Sequence, residues 1–540
     1  MRFIWILILS FIVLRIAYRV YGNYLARLFK LDDKNVTPAR RLKDGVDYEP
    51  AGKGIVLGHH FASIAGAGPI IGPVIAVAFG WVPAVLWILA GGIFLGAVHD
   101  FASLIASLRH DGKSIGEVIR KYVGWQGKRL FLLFSLATLI LIIAVFGDII
   151  ARTFISNPEV ASISGLFILL ALVFGQVRRK IGQHPSKGVA WSTMILAIIA
   201  VYAVIIFGGG MPVQWSYTVW LVVLMLYVGI ASVTPVSVLL QPRDYLSSFL
   251  LYGLILFAVA GIFISDPKAA PEHAVAWHDD DLGYLFPVLF ITVACGAISG
   301  FHALVAGGTT SKQVEKETDV KMIGYGGMLI ESFLAIIAVA SVAVFSPEDY
   351  RDQLSTGSPV SVFAHGLGTM IANLGVPEAR AVDFIALTVS AFALTTMDTC
   401  TRLARFVVQE LFEKQNHEIP KGNHIMQNRY VATATVIFAS VVLLASGQFE
   451  KLWPIFGSAN QMLAALTLLA LSVWMIREKI NYRIVFWPMI FMYLVSLTSL
   501  VFFGIKNLGE GDYVLAAMSL VLIFLALVLG YQAKKVLNNN

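Results

Sequence analysis

The chain has 540 residues, 58% of them hydrophobic and 14% charged, well below the quarter or so of charged residues usual in a soluble domain. That composition excludes a disordered chain, a collagen-like chain and a typical water-soluble enzyme, and it indicates an all-α polytopic membrane protein. The net charge of +7 comes without a basic run interleaved with aromatics, so it is read as a record of orientation in the bilayer, and no nucleic-acid partner is expected.

A crossing helix needs about 20 apolar residues. The first such segment, 3–20, begins like a leader, but Arg15, Tyr18, Arg19 and Tyr21 stand where a small-residue cleavage site would be needed. It is expected to remain as a membrane helix. A loop over 22–53 with seven basic residues follows.

The second segment, 54–80, contains His59, His60, Ser63 and Ala65, then Gly66, Gly68, Pro69, Gly72 and Pro73 clustered near mid-depth. Proline lacks an amide hydrogen and clashes with the preceding turn. In lipid, freed backbone groups are tolerated only where protein or a cavity receives them. A helix interrupted at mid-depth therefore marks a binding site; the competing reading is close helix packing through small residues. His59 and His60 are candidates for proton transfer, since histidine titrates near neutrality.

The segment 82–108 carries His99-Asp100, expected to support or relay rather than to face each other, because neighbours on a helix point apart. The next segments are 130–154, 160–177, 189–207, 217–238 and 246–264. Asp148 and Arg152 read as gate or packing ion pairs, as do Glu331 and Asp383 further on. Gln241-Pro242-Arg243-Asp244 reads as a short inner turn.

A second glycine-interrupted segment, 284–311, carries Cys295 to His302, with the break expected at 296–300, around Ser299 and Gly300. The two cysteines, Cys295 and Cys400, imply no disulfide framework and have no metal-motif spacing. Segment 322–346 contains Glu331, a further gating candidate. The stretch 359–373 is read as a surface or re-entrant element within the connection 347–381, because counting it as a crossing would place the basic loop 402–429 outside. Segment 382–401 closes on Thr395-Thr396-Met397-Asp398-Thr399-Cys400-Thr401-Arg402. Thr395, Thr396 and Asp398, with the Ala65 carbonyl, would suit a sodium ion. Alternatively Asp398 carries a proton, or pairs with Arg402 at the helix end. Segments 428–447, 453–476, 484–505 and 512–532 bring the count to fifteen. Asn460-Gln461 reads as a turn or gate.

Basic loops alternate with loops poor in Lys and Arg, which puts the N-terminus outside and the C-terminus in the cytoplasm. The two broken segments are second and ninth, so they run through the membrane in opposite directions, as inverted repeats require.

The runs Gly58 to Pro69, Gly96 to Phe101, Gln241 to Tyr245, Gly300-Phe301-His302, Thr395 to Arg402 and Leu452 to Gln461 strongly resemble the carbon starvation protein A (CstA) family, over at least 54–476. The resemblance implies a bacterial inner-membrane transporter of the amino acid–polyamine–organocation superfamily, linked to uptake of pyruvate and peptides when carbon is short. It also implies the leucine-transporter-type fold of two inverted five-helix repeats with discontinuous helices. Residues 1–53 then form an extra helix and cytoplasmic loop, 54–476 the core, and 477–540 the C-terminal helices. That fold separates its broken helices by five segments, and here the offset is seven, so either two helices intervene or the count is off. The chain is also shorter than the longest members, whose extra C-terminal part is expected to be missing.

Substrate would lie against Ser63, Ala65, Gly66, Gly68, Ser299 and Gly300, with His60 and His302 binding its carboxylate or moving protons. His59, His99, Asp100 and Glu331 are relay or gating candidates. The coupling ion is a proton or sodium, and no cofactor is expected. Oligomeric state and the choice between pyruvate and peptide are open. The rival classes are an intramembrane haem-binding or hydrolytic enzyme, and a passive channel.

Overall fold

The computed structural model describes residues 2–45, 47–181, 186–208, 210, 212–236, 238–356, 358–412, 425–445 and 449–538. Lys414 and Lys421 of the basic loop 402–429 lie outside the described residues. The described chain is a bundle of helices, with one two-stranded hairpin, His278–Asp279 with Gly283–Tyr284. Eleven single helices are long and apolar enough to cross a membrane, and Lys53–Ile64 with Gly68–Phe79 forms one further bent pair. The protein is thus a multi-pass membrane protein.

Each predicted segment meets a helix or a broken helix, but four do not meet the length and apolarity of a single crossing. Segment 54–80 is the bent pair. Tyr217–Val233 and Arg429–Ala445 have 17 residues each. Segment 284–311 consists of two short halves, Leu285–Thr292 and Gly300–Gly308.

Burial sorts the bundle into a core and a jacket. The apolar windows of Glu378–Leu411 and Trp453–Arg477 are 89% buried, whereas that of Trp191–Gly208 is 17% buried. Helices that pack on all sides are central, and those with one apolar face left over face lipid. Glu378–Leu411 packs against Trp125–Ser156, Pro359–Ala372, Tyr217–Val233 and the first half of the bent pair.

Three sequence expectations are corrected. Of the two readings of 359–373, surface or re-entrant, the surface one is overturned, because Pro359–Ala372 is packed inside the bundle. It packs on Leu240–Ser265 and Gly68–Ala76, and a Cβ on its Gly366 would come within 2.2 Å of the Ser341 carbonyl. Its 14 residues span about 21 Å, short of the roughly 30 Å hydrocarbon layer. The 382–401 segment does not close near Arg402, because its helix continues to Leu411 and leaves Asp398 well inside it. Gln241-Pro242-Arg243-Asp244 is not a loop turn but the first turn of Leu240–Ser265, where proline is tolerated because the first amides of a helix have no partner within it.

Candidate functional site

The two broken helices lie side by side and antiparallel. Lys53–Ile64 packs on Gly300–Gly308, and Gly68–Ala76 packs on Leu285–Thr292. Glycine makes the approach possible: a Cβ on Gly72 would sit 2.3 Å from the Thr292 carbonyl oxygen, and one on Gly68 would sit 2.4 Å from Cys295 Sγ. The first break is Ala65–Ala67, and the second is Val293–Ser299, earlier than the expected 296–300. Ser63, Ala65, Gly66, Gly68, Ser299 and Gly300 are all buried at these breaks.

The neighbouring helices hold both breaks. Thr396 Oγ1 donates to the Ser63 carbonyl at 3.1 Å, and the hydroxyls of Thr399 and Ser63 lie 3.3 Å apart. At the second break, Asn460 Oδ1 accepts from the Phe301 amide at 3.0 Å, and Asn460 Nδ2 donates to Ser299 Oγ at 3.0 Å. The adjacent Gln461 donates to the Phe290 carbonyl at 3.2 Å. These two residues of Phe449–Arg477 therefore grip the half-helices on either side of the break. Gly300 lets that helix come close, since a Cβ there would meet Ala464 N at 2.4 Å. The reading of Asn460-Gln461 as a turn missed this role. Side-chain amides within a long apolar run were the available signal.

The ionisable residues fall into two buried clusters. In the first, Asp398 Oδ2 takes the Arg243 guanidinium and the Tyr227 hydroxyl, the latter at 2.9 Å. Arg243 also binds Asp244 at 2.9 Å, and Asp244 binds His59 Nδ1 at 2.6 Å. The network joins the first broken helix to Leu240–Ser265 and Glu378–Leu411. Arg243 and Asp244 were not among the expected site residues, because a charged pair next to Pro242 looked like loop chemistry. Arg402 does not pair with Asp398; it donates to the Ala231 and Thr234 carbonyls.

The members of the expected cation set, Thr395, Thr396, Asp398 and Ala65, are all buried, and three of them have protein partners. Thr395 bonds back to Ala391 of its own helix, Thr396 to Ser63 rather than Ala65, and Asp398 already carries a guanidinium. Thr396, two residues before Asp398, lies about 200° around the helix from it, whereas Thr395, three residues before, shares its face.

In the second cluster, Asp100 Oδ2 accepts from His302 Nδ1 at 2.8 Å, and Asp100 Oδ1 lies 2.8 Å from His99 Nδ1. The expectation that His99 and Asp100 point apart is thereby corrected: both side chains turn into the same buried contact. Glu331 lies 3.5 Å from His302 Nε2, so its partner is a histidine of the second broken helix. His60 stands apart, with Nδ1 2.8 Å from Thr310 Oγ1. Asp148 pairs with Arg152 at 2.6 Å, as expected, at the wall of a wide cavity at one end of the bundle that also touches Ile75, Tyr350 and Asp383. A second cavity, lined by Gly307, Gly308, Lys312 and Leu403, opens at the opposite end. Neither cavity is lined by residues of the two breaks.

The model of the family described as carbon starvation protein CstA matches residues 2–358 and 351–499. The Helicobacter pylori peptide transporter CstA is 34% identical over 544 residues, covering 87% of this chain and 77% of that protein. The Escherichia coli peptide transporter CstA is 33% identical, covering 88% and 77%. The Escherichia coli pyruvate/proton symporter BtsT is 31% identical, covering 88% and 78%. Among solved structures, a mutant of the Eremococcus coleocola manganese transporter aligns with a TM-score of 0.48 at 13% identity, over 90% of this chain and 94% of that one.

Proposed function

The chain belongs to the carbon starvation protein CstA family, and from that premise we propose that it is an ion-coupled importer of a small carboxylate such as pyruvate, or of peptides, in a bacterial inner membrane. The observation that carries the proposal is the antiparallel pair of broken helices with their breaks side by side, Gly68 against Cys295. Half-helix N-termini offer free amides and a positive dipole end to a carboxylate. Substrate would bind between Ser63, Ala65, Gly66 and Gly68 on one side and Ser299 and Gly300 on the other, with His60 close by.

The two cavities end short of the breaks from opposite sides, which fits a carrier closed around an enclosed site. Opening toward one cavity and then the other gives alternating access. The proposed topology has fifteen crossings, the N-terminus outside, the C-terminus in the cytoplasm, and leucine-transporter-type inverted repeats within 54–476.

A proton is favoured over sodium as the coupling ion. A sodium site needs a free carboxylate or a cage of oxygens, and Asp398 already holds Arg243. His59, Asp244, Arg243 and Asp398 make a connected route for protonation, and a relative bears the name of a proton symporter. The test is uptake into proteoliposomes, with labelled pyruvate and a labelled dipeptide compared under separately imposed proton and sodium gradients. Accumulation above the bath concentration under the proton gradient is expected. Simple equilibration under both gradients would turn the reading toward a channel.

A further inference from the structure

We propose that Cys295, His302 and Glu331 form a binding site for a divalent transition metal, with zinc the best match, beside the second break. The ligand-offering atoms of these three buried residues lie within 4.8 Å of one another. His302 Nε2 and Glu331 Oε2 are 3.5 Å apart. Tetrahedral zinc bonds of 2.0–2.3 Å put ligand atoms about 3.4–3.6 Å apart. The imidazole and carboxylate are therefore already at ligating separation, and the thiol lies within 4.8 Å of both.

A second observation points at the same space. His302 Nε2 and both carboxylate oxygens of Glu331 are buried without a hydrogen-bond partner among the described residues. Leaving such groups unmet costs free energy. The opposite ring nitrogen of His302 is held by Asp100 at 2.8 Å. A carboxylate on Nδ1 fixes the proton there and leaves the Nε2 lone pair facing the cluster, the arrangement that supports metal-bound histidines. His99 in turn fixes Asp100 at 2.8 Å.

Charge gives a third argument. The ion-pair partners of Asp100 and Glu331 are imidazoles. Two buried carboxylates are costly on that footing, and a dication compensates them directly. Binding releases the Cys295 thiol proton to solvent, so affinity rises with pH. Thiolate, imidazole and carboxylate together select a borderline-soft ion over magnesium or calcium. Three protein ligands leave one tetrahedral position for water or for a carboxylate ligand at the break.

The experiment uses the purified full chain, stripped with chelator, loaded with zinc and dialysed, with metal measured per chain. One equivalent is expected in the wild type and in Cys400→Ser, the other buried cysteine serving as control. Cys295→Ser and Glu331→Gln should fall at least tenfold in affinity. Wild-type protein that retains no zinc, or Cys295→Ser that retains a full equivalent, overturns the site. If the variants do not fold, cobalt loading of the wild type decides the matter. A thiolate-to-cobalt charge-transfer band supports Cys295 ligation, and a bound cobalt without that band refutes it. Neither readout depends on transport.

Discussion

The two buried clusters meet the same physical demand in different ways. Around the first broken helix, Asp244 and Asp398 share the Arg243 guanidinium, with His59 at the end of the chain of contacts. Around the second, the ion-pair partners of Asp100 and Glu331 among the described residues are imidazoles. The Arg243 cation makes the first cluster a strut between three helices, and His59 with the two carboxylates along it is where the proposed coupling proton would exchange. The second depends on something exchangeable, a proton or a metal ion, to balance its charge. The comparison teaches that internal likeness between broken helices need not mean like roles.

The largest expected effect is on the strut. Arg243→Met leaves two buried carboxylates without their cation, and loss of one partner of a buried pair costs about 3–5 kcal/mol. Thermal unfolding followed by size-exclusion chromatography should show a collapse in folded yield. Adding Asp398→Asn to Arg243→Met should restore part of it, since removing both members is far less costly than removing one. Equal damage in the single and double variants would break the picture of a shared cation.

Next come the glycines of the two breaks. Gly300→Ala drives a methyl into the backbone of Ala464 and Asn460, whereas Gly66→Ala meets the Thr396 side chain at 2.4 Å and the Phe146 ring at 3.0 Å. Overpacking costs about 1–3 kcal/mol. The backbone collision should be the worse of the two, because side chains have rotamers to retreat to. Melting temperatures of the two variants, compared directly, check the order.

Asn460→Ala should cost about 1–3 kcal/mol through the unmet Phe301 amide and Ser299 hydroxyl, while Asn460→Asp keeps the acceptor for the amide. Better stability in the aspartate variant than in the alanine variant is the expected outcome.

The smallest effect lies outside both clusters, in the short helix Ile115–Tyr122. Burial pushes the Glu117 carboxyl up, but the Lys128 ammonium and Arg120 guanidinium outweigh it and hold the group below the ordinary carboxylate value. A depressed value stabilises the fold above the unfolded pKa and loses that contribution as pH falls through the folded one. Glu117→Gln should therefore flatten the acid side of the stability profile and leave both clusters intact.

Much of this architecture was legible in the residues. Gly66 to Pro73 marked the first break because proline and glycine act locally, and that signal needs no tertiary context. The second break was legible from Gly296 and Gly300 but was placed three residues late at its start. Nothing in Val293 and Ala294 says unwound, and it is the grip of Gln461 and Asn460 that ends one half-helix and starts the other. The partners of Asp398 were not legible. Arg243 lies 155 positions away in the sequence, and only packing of Leu240–Ser265 against Glu378–Leu411 brings the two together. The same holds for Cys295, His302 and Glu331, whose spacing resembles no metal motif because three separate turns of backbone supply them.

The most direct measurement of the central claim is net accumulation and counterflow of labelled substrate, read side by side in proteoliposomes, for the wild type and Asp398→Asn. A coupled carrier should accumulate substrate under a proton gradient in the wild type. The variant should still exchange substrate in counterflow while failing to concentrate it. Undiminished, gradient-driven accumulation in Asp398→Asn would contradict the assignment of coupling to the His59–Asp244–Arg243–Asp398 network.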